Sequence, residues 1–322
     1  MTIRATLAAS AAAITLALPL AGHADPRDEH RATLAAATLG GHEIAYLDVG
    51  APSDPAVLLL HGIPTSSYLF REVAPLLAAR GYRVVAPDML GFGASARPED
   101  AVAYSTEARA DRMVALLDEL GIEDAALVLH DVGGLTGWQI VADAPERLSA
   151  VVATNTMAGL AGVTPAPLVM GIMGGQTTPK DAFAQLASDP QAAREMARMW
   201  LDQGWWGEGT APEADVAVYG ADIAGAQAAY TAFFGQAVPA FMSGEAARNA
   251  ALAAYDGPTG IIFGERDGYF DPDVVIPDLA ARLGVDDADI TRIPEAGHYL
   301  QAQEPAAYVD ALATFLDRNL EN

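Results

Sequence analysis

The stretch that decides the fold is ALVLHDVGGLTGW, residues 126–138, in which an apolar run ends at a histidine and an aspartate and two glycines follow. The run is typical of a buried strand, and the later residues are typical of a helix that packs closely on it. A buried carboxylate at this junction costs folding free energy unless it is paired with another group or has a function. Asp131 is therefore expected to be a helix cap, a metal ligand or a nucleophile.

Strand-like and helix-like segments alternate on both sides of this stretch. The segments EIAYLDV, AVLLLHG, YRVVAPD and LSAVVATNT are typical of strands, and REVAPLLAARG and STEARADRMVALLDELG are typical of helices ended by glycine. This alternation predicts an α/β domain with a mainly parallel sheet and helices on both faces. It stops near residue 157 and resumes near residue 257. We therefore predict a core of residues 25–156 and 257–322, interrupted by a helical cap of residues 157–256.

The composition limits the classes of function. The 322 residues carry a formal net charge of −24, and Lys180 is the only lysine. This charge repels nucleic acid and anionic membrane surfaces, so neither is an expected partner. The sequence contains no cysteine, which excludes disulfides, thiolate metal sites and a cysteine nucleophile.

Residues 1–24 have the pattern of a signal peptide. Arg4 provides a short positive region, an apolar run follows, and Gly22 and Ala24 are the small residues that a signal peptidase recognises. We expect cleavage after Ala24 and export to the periplasm or the medium, and a disordered or anchoring tail is the alternative. No later segment is apolar and long enough to span a bilayer, so no membrane association is expected after signal removal.

Four predicted strands end in residues that can carry chemistry. These ends are His61-Gly62, Asp131, Asp267 and His298. Functional groups of open α/β sheets lie at the carboxyl ends of the strands. The order of loop, nucleophile, acid and histidine is that of the α/β-hydrolase fold, in which the nucleophile occupies a sharp strand-to-helix turn.

Five motifs make the resemblance more specific. In chain order they are HGIPTSSYLFR (61–71), APDMLGFGASARP (86–98), LHDVGG (129–134), GERDGYFDP (264–272) and AGHYLQAQEP (296–305). Together they resemble the branch of the α/β-hydrolases that contains haloalkane dehalogenases and epoxide hydrolases. The resemblance covers roughly residues 40–156 and 257–320. The cap resembles that of the family only in its position and helical character.

The resemblance implies a role for each strand end. Asp131 is implied to be the nucleophile, His298 the base and Asp267 the acid that orients the histidine. The backbone N–H groups of Ile63 and Val132 are implied to form the oxyanion hole. An aspartate that attacks an sp³ carbon leaves an alkyl ester on the enzyme, which water then hydrolyses. An ordinary ester substrate would give a high-energy anhydride, which disfavours esterase activity.

Other polar residues near these positions are not expected to carry the chemistry. Some relatives place the acid after the strand that follows the nucleophile, where this chain has Asn155, which cannot carry a charge. This difference favours Asp267 as the acid. We expect His61 and His130 to brace loops rather than carry protons.

The residues that hold the leaving group depart from the family pattern. Dehalogenases bind the halide with an indole N–H directly after the nucleophile, where this chain has Val132, and often with a second donor at the position of Ile63. Trp200, Trp205 and Trp206 of the cap are candidates to replace them, and ordinary packing is the alternative role.

Epoxide hydrolases instead need a proton donor, usually a cap tyrosine. Tyr230 is the better candidate for this donor, although packing in an amphipathic helix is the alternative role. Phe241 stands where the second tyrosine of these enzymes is expected. The chain therefore lacks one typical residue of each activity: the tryptophan after the nucleophile of dehalogenases and the second tyrosine of epoxide hydrolases.

The sequence thus predicts a hydrolase that is similar to haloalkane dehalogenases and acts on a small apolar substrate. An epoxide hydrolase with a cap tyrosine as proton donor is the first alternative, and a non-catalytic binding protein on the same fold is the second. The proposed chemistry needs neither a metal nor another cofactor. The sequence does not indicate an oligomeric state.

Overall fold

A computed structural model describes residues 25–165, 167–202 and 210–320 of the chain. The proposed signal segment 1–24 lies outside the described residues, as do Trp205 and Trp206. Within the described ranges, no helix has the length and apolar character needed to cross a membrane.

An eight-stranded sheet forms the centre of the fold. The strands are β1 (Ala35–Leu39), β2 (His42–Val49), β3 (Ala56–Leu60), β4 (Arg83–Pro87), β5 (Ala125–Asp131), β6 (Leu148–Thr156), β7 (Thr259–Gly264) and β8 (Ile290–Ile293). Their order is β1-β2-β4-β3-β5-β6-β7-β8. The pairs from β4 to β8 are parallel, whereas β2 pairs antiparallel with both β1 and β4. The predicted α/β architecture with a mainly parallel sheet is therefore confirmed.

Helices pack against the sheet and follow one another between β6 and β7. In chain order they are α1 (Pro26–Arg31), α2 (Val73–Ala78), α3 (Thr106–Glu119), α4 (Gly133–Asp143), α5 (Pro167–Met173), α6 (Pro179–Ser188), α7 (Pro190–Asp202), α8 (Glu213–Gly225), α9 (Gln227–Ala232), α10 (Val238–Ser243), α11 (Glu245–Ala254), α12 (Pro272–Leu283), α13 (Leu300–Gln303) and α14 (Pro305–Leu320). Helices α5 to α11 lie in the chain between β6 and β7, and a π-helical turn, Phe233–Ala237, separates α9 from α10.

The central strands are buried because helices cover both faces of the sheet. Every residue of β3, β4 and β5 is buried, and their continuous runs of Val, Leu and Ala are the pattern that a two-sided burial requires. Strand β5 lies between β3 and β6, so its carboxyl end opens at the middle of the sheet edge. Asp131 is the last residue of this strand.

Helix ends follow local signals that are visible in the sequence. The Ser105 side chain accepts a hydrogen bond from the Ala108 N–H and caps α3, as the sequence predicts. The Asp271 side chain accepts from the Asp273 N–H at the start of α12, and Gly284 ends that helix with a left-handed φ of 69°. The second of these helices begins just after the loop that carries Asp267.

Helix α1 joins the core to the insertion. The Arg27 guanidinium donates to the buried carboxylate of Asp222 on α8, at 2.9 and 3.2 Å. On the core side, His30 Nε2 lies 2.9 Å from Ser67 Oγ. These contacts fix α8 relative to the sheet and thereby help to position the helices over the strand ends.

Candidate active site

The turn from β5 into α4 presents Asp131 in a strained conformation. Its φ of 52° is in the left-handed region, which residues other than glycine rarely adopt. A Cβ atom on Gly133 would lie 2.6 Å from the His61 carbonyl oxygen, so only glycine allows this close approach. The Thr156 hydroxyl donates to the Asp131 carbonyl at 2.6 Å and holds the turn from the β6 side. The sequence pattern of an elbow with glycines therefore corresponds to a sharp turn in the structure.

The Asp131 carboxylate is buried and accepts hydrogen bonds from two backbone groups. Its Oδ1 accepts from the Ile63 N–H at 2.8 Å, and the Val132 N–H also donates to the carboxylate. Its Oδ2 lies 3.4 Å from His298 Nε2. Burial favours the neutral acid, but the hydrogen bond and charge of His298 outweigh it and hold the pKa of Asp131 below its ordinary value. Asp131 is thus an ionised carboxylate at neutral pH.

His298 links Asp131 to Asp267. The imidazole is fully buried, and its Nδ1 lies 2.9 Å from Asp267 Oδ2. Burial opposes the positive charge, yet the two carboxylates outweigh burial and raise the pKa of His298 to about 9. Asp267 fixes the ring so that Nε2 faces Asp131. The structure therefore brings together the three residues that the resemblance implies.

Asp267 is held by two backbone N–H groups and by the side chain of Asn155. Its Oδ1 accepts from the N–H groups of Tyr269 and Phe270 at 2.8 and 3.1 Å. Its Oδ2 also accepts from Asn155 Nδ2 at 2.7 Å. The Asn155 Oδ1 in turn accepts from the Gly264 N–H at 2.8 Å. Asn155 therefore positions Asp267 instead of replacing it. Its position at the end of β6 was the feature of the sequence that indicated its proximity to the site.

His61 and His130 form internal braces. Nε2 of His61 accepts from the Met89 N–H at 2.9 Å, so its Nδ1 carries the proton and donates to the Gly62 carbonyl at 2.7 Å. Nε2 of His130 donates to the His298 carbonyl at 2.9 Å. Burial lowers the pKa of both imidazoles to about 4, so both are neutral at physiological pH. Neither ring is placed to take a proton from a water at Asp131.

An apolar cavity of about 270 Å³ lies over Asp131. Ile63 and Val132 contribute to its wall from the core, and Phe233 and Phe234 contribute from the insertion. Most of its described wall is aliphatic or aromatic carbon, so it suits a small apolar ligand.

The candidate leaving-group residues occupy different places. Trp200 lines the cavity. Tyr230 is buried behind it, where its ring stacks on Phe183 with centroids 4.9 Å apart, and its hydroxyl has no hydrogen-bond partner among the described residues. Phe241 lies under the Arg248 guanidinium, 3.7 Å from ring centroid to Cζ, in a separate pocket. Neither Tyr230 nor Phe241 is among the described residues of the cavity wall.

The sequence did not indicate most residues of the cavity wall, and two of them lie next to the predicted acid. Tyr269 and Phe270 line it from the loop between β7 and α12. They belong to the motif GERDGYFDP, which indicated Asp267 but not the direction of these two side chains. Within the described part of the chain, no group of His, Cys, Asp and Glu side chains is arranged to hold a metal ion.

The raised pKa of His298 makes stability depend on pH. A group whose pKa rises on folding, here from 6.5 to about 9, contributes stability that is complete below pH 6.5 and is lost as the pH rises through 9. We expect the free energy of unfolding to fall by up to about 3 kcal/mol more in the wild type than in His298→Gln across this window. Denaturant unfolding of both proteins at pH 6 and 9.5 measures this difference, and parallel curves would contradict it.

Comparisons with known proteins place this geometry in context. A family model described as alpha/beta hydrolase fold matches residues 55–305. A haloalkane dehalogenase of Psychrobacter cryohalolentis is 42% identical over 114 residues, which are 35% of this chain and 38% of that relative. Epoxide hydrolase A of Mycobacterium tuberculosis is 35% identical over 118 residues, which are 37% of each chain. The chain thus matches less than two fifths of the length of these relatives.

A solved structure resembles the protein over most of its length. The crystal structure of epoxide hydrolase A from Mycobacterium thermoresistibile has a TM-score of 0.68 and 24% sequence identity. The superposition covers 88% of this chain and 98% of that chain. At this identity the likeness shows a common fold.

Proposed function

This chain belongs to the α/β-hydrolase fold family, and we propose that it is a hydrolase that works through a covalent alkyl ester on Asp131. The observation that carries the proposal is the environment of the carboxylate. One oxygen is held by the oxyanion-hole N–H of Ile63, and the other faces His298. A carboxylate in this position is both ionised and directed at the apolar cavity.

The first step is displacement at an sp³ carbon. Asp131 Oδ2 attacks the substrate carbon, and the bond to the leaving group breaks as the ester bond forms. The described wall of the cavity is mostly aliphatic and aromatic carbon, so it offers the carboxylate few polar partners on its open side and leaves it more reactive. The leaving group takes the bonding electron pair.

The second step is hydrolysis at the carbonyl of Asp131. Alkylation removes the charge of Asp131, which is one of the causes that raise the pKa of His298. The imidazolium can then release its proton to solvent, and the neutral ring can act as the base that deprotonates water. Hydroxide adds to the aspartyl carbonyl. The Ile63 N–H already holds Oδ1, on which charge develops, and the Val132 N–H also donates to this carboxylate.

We propose a haloalkane as the substrate class. The apolar cavity over Asp131 and the similarity to a haloalkane dehalogenase support it. Trp200 is the one described candidate of the cap tryptophans, and it lines the cavity, so its indole N–H is the candidate donor to the halide. The residue directly after the nucleophile, Val132, offers only its backbone N–H.

A product assay tests the proposed function. We expect the purified protein to release halide from short haloalkanes, as measured by ion chromatography, and the same preparation should be tested for diol formation from terminal epoxides. The His298→Gln variant should accumulate a substrate adduct on the peptide that contains Asp131. Turnover of neither class by folded protein, with no adduct in the variant, would contradict the proposal.

We also propose that the protein is exported. The proposal rests on residues 1–24 alone, whose sequence has the pattern of a signal peptide. Mass spectrometry of protein recovered from the periplasm or the medium should find Asp25 as the first residue. Recovery of the full-length chain from the cytoplasm alone would contradict export.

A further inference from the structure

The cavity over Asp131 contains two kinds of hydrogen-bond donor besides the catalytic groups. Among the described residues of its wall, Trp200 carries an indole N–H and Tyr269 carries a phenol O–H. The remaining wall residues, apart from Asp131, have no side-chain donor. Within the described part of the wall, these two side chains are therefore the candidates to donate a hydrogen bond to a leaving group.

The two donors differ in whether they can transfer a proton. An indole N–H can donate a hydrogen bond but does not release its proton under physiological conditions, whereas a phenol can do both. A halide ion is a weak base and needs only hydrogen bonds. The alkoxide formed when an epoxide opens is a strong base and must receive a proton. The tryptophan therefore suits the first leaving group, and the tyrosine suits the second.

The position of Tyr269 is fixed by the same loop that holds the acid. Its N–H donates to Asp267 Oδ1 at 2.8 Å, and its carbonyl accepts from the Thr164 N–H at 2.7 Å. Its ring centroid lies 5.9 Å from that of His298. The backbone on both sides of the side chain is thus tied to the catalytic site and to the start of the insertion.

The electrostatic setting keeps this phenol protonated. Burial raises the pKa of Tyr269 above its ordinary value, and the charges of Asp131 and Asp267 raise it further. The phenol therefore carries its proton throughout the pH range in which Asp131 is an ionised nucleophile. Alkylation of Asp131 removes one of these two charges at the moment when a proton must be given up.

We propose that Tyr269 is the proton donor for an epoxide substrate at this site, so that the enzyme also opens epoxides. This inference rests on the proposed covalent function. Asp131 Oδ2 forms a bond to an epoxide carbon, the ring C–O bond breaks, and its electron pair stays on the ring oxygen. That oxygen takes the proton of the Tyr269 hydroxyl, which leaves a hydroxyalkyl ester and a tyrosinate.

The second half of the cycle restores both groups. His298 takes a proton from water, and hydroxide cleaves the ester at the aspartyl carbonyl. The diol is released, Asp131 becomes a carboxylate again, and the proton on the imidazole returns to the tyrosinate. The sum is the addition of one water to one epoxide. The donor then belongs to the core rather than to the cap, so nucleophile, base and acid are all fixed by the strand ends.

The test measures the ester-forming step by itself. In the His298→Gln background, which should stop hydrolysis, the rate of adduct formation on Asp131 is measured by intact mass with a terminal epoxide and with a haloalkane. We expect Tyr269→Phe to slow the epoxide reaction by at least about 100-fold. The loss should be smaller for an epoxide whose alkoxide is stabilised by a neighbouring electron-withdrawing group, and a purely structural defect would not show that difference.

Tyr230→Phe is the matched control because it removes a buried phenol hydroxyl that is not part of the cavity wall. We expect it to change the epoxide rate by less than about threefold. Two results would overturn the role of Tyr269. The first is an epoxide rate that Tyr269→Phe does not reduce. The second is that the parent variant, His298→Gln alone, forms an adduct with the haloalkane and none with the epoxide. Absence of any adduct in the parent would instead overturn the covalent function itself.

Discussion

Replacing Asp131 with asparagine is expected to reduce turnover by at least about 10⁴-fold, whichever leaving group the substrate carries. The amide has nearly the shape of the carboxylate and still fits the turn, but it has no negative charge with which to attack carbon. It also leaves His298 without one of the two carboxylates that raise its pKa. Steady-state halide or diol production, measured at the substrate concentration that saturates the wild type, gives the size of the loss.

Asp273→Asn is the matched control for this change. Asp273 is exposed near the start of α12, where its carboxylate pairs with Arg292. We expect nearly wild-type turnover, because exposed ion pairs contribute little to stability. Circular dichroism and thermal unfolding should show that both variants are folded. If the Asp131→Asn protein keeps a tenth of the wild-type activity, another group is the nucleophile.

Replacing His298 with glutamine is expected to separate the two halves of the reaction. Alkylation of Asp131 does not require a base, so one equivalent of halide should appear in a burst. Ester hydrolysis should then slow by about 10³-fold, because glutamine cannot take a proton from water. Rapid-quench measurement of halide together with peptide mapping of the trapped ester tests both expectations in one experiment.

A second histidine substitution controls for the loss of an imidazole in general. His42→Gln alters a half-buried ring at the start of β2, which lies on the antiparallel side of the sheet. We expect this variant to turn over continuously. A steady-state rate for His298→Gln within tenfold of the wild type, with no burst and no trapped ester, would contradict its assignment as the base.

The strand ends were predictable from the sequence because they depend on local patterns. A continuous apolar run fixes where a buried parallel strand ends, and the carboxyl ends of parallel strands meet at one edge of the sheet. Asp131 and Asp267 each follow such a run, whereas His298 follows β8, a short strand whose residues are mostly not buried. The structure places the three side chains side by side, with His298 between the two carboxylates. The contact between the Ile63 N–H and Asp131 was implied by the family resemblance, and it can form with any side chain because it depends on a backbone N–H.

The wall of the cavity was not predictable in the same way. Trp200 and Tyr230 are both buried residues of helices in the insertion, and the sequence shows only that each lies on an apolar face. Which of them reaches the cavity depends on how those helices pack, which involves contacts between distant parts of the chain. Tyr269 was not predictable for another reason. It is two residues from the acid in a loop, where no periodicity indicates the direction of a side chain.

The role of Asn155 shows a similar limit. Its place at the end of β6 indicated proximity to the site, but an amide there has several possible partners. The structure shows that it joins the ends of two strands. Its φ is positive, at 36°, and its side chain donates to Asp267 and to the Gly297 carbonyl and accepts from the Gly264 N–H. The sequence could place this residue near the acid without indicating what it does.

A single turnover in water enriched in ¹⁸O tests the covalent ester on Asp131 most directly. If hydroxide attacks the aspartyl carbonyl, the first product molecule carries an unlabelled oxygen from the enzyme, and the label enters the Asp131 carboxylate. Mass spectrometry of the product and of the peptide that contains residues 126–138 locates both oxygens. A labelled product from the first turnover, with an unlabelled Asp131 peptide, would show that water attacks the substrate directly and would contradict the covalent mechanism.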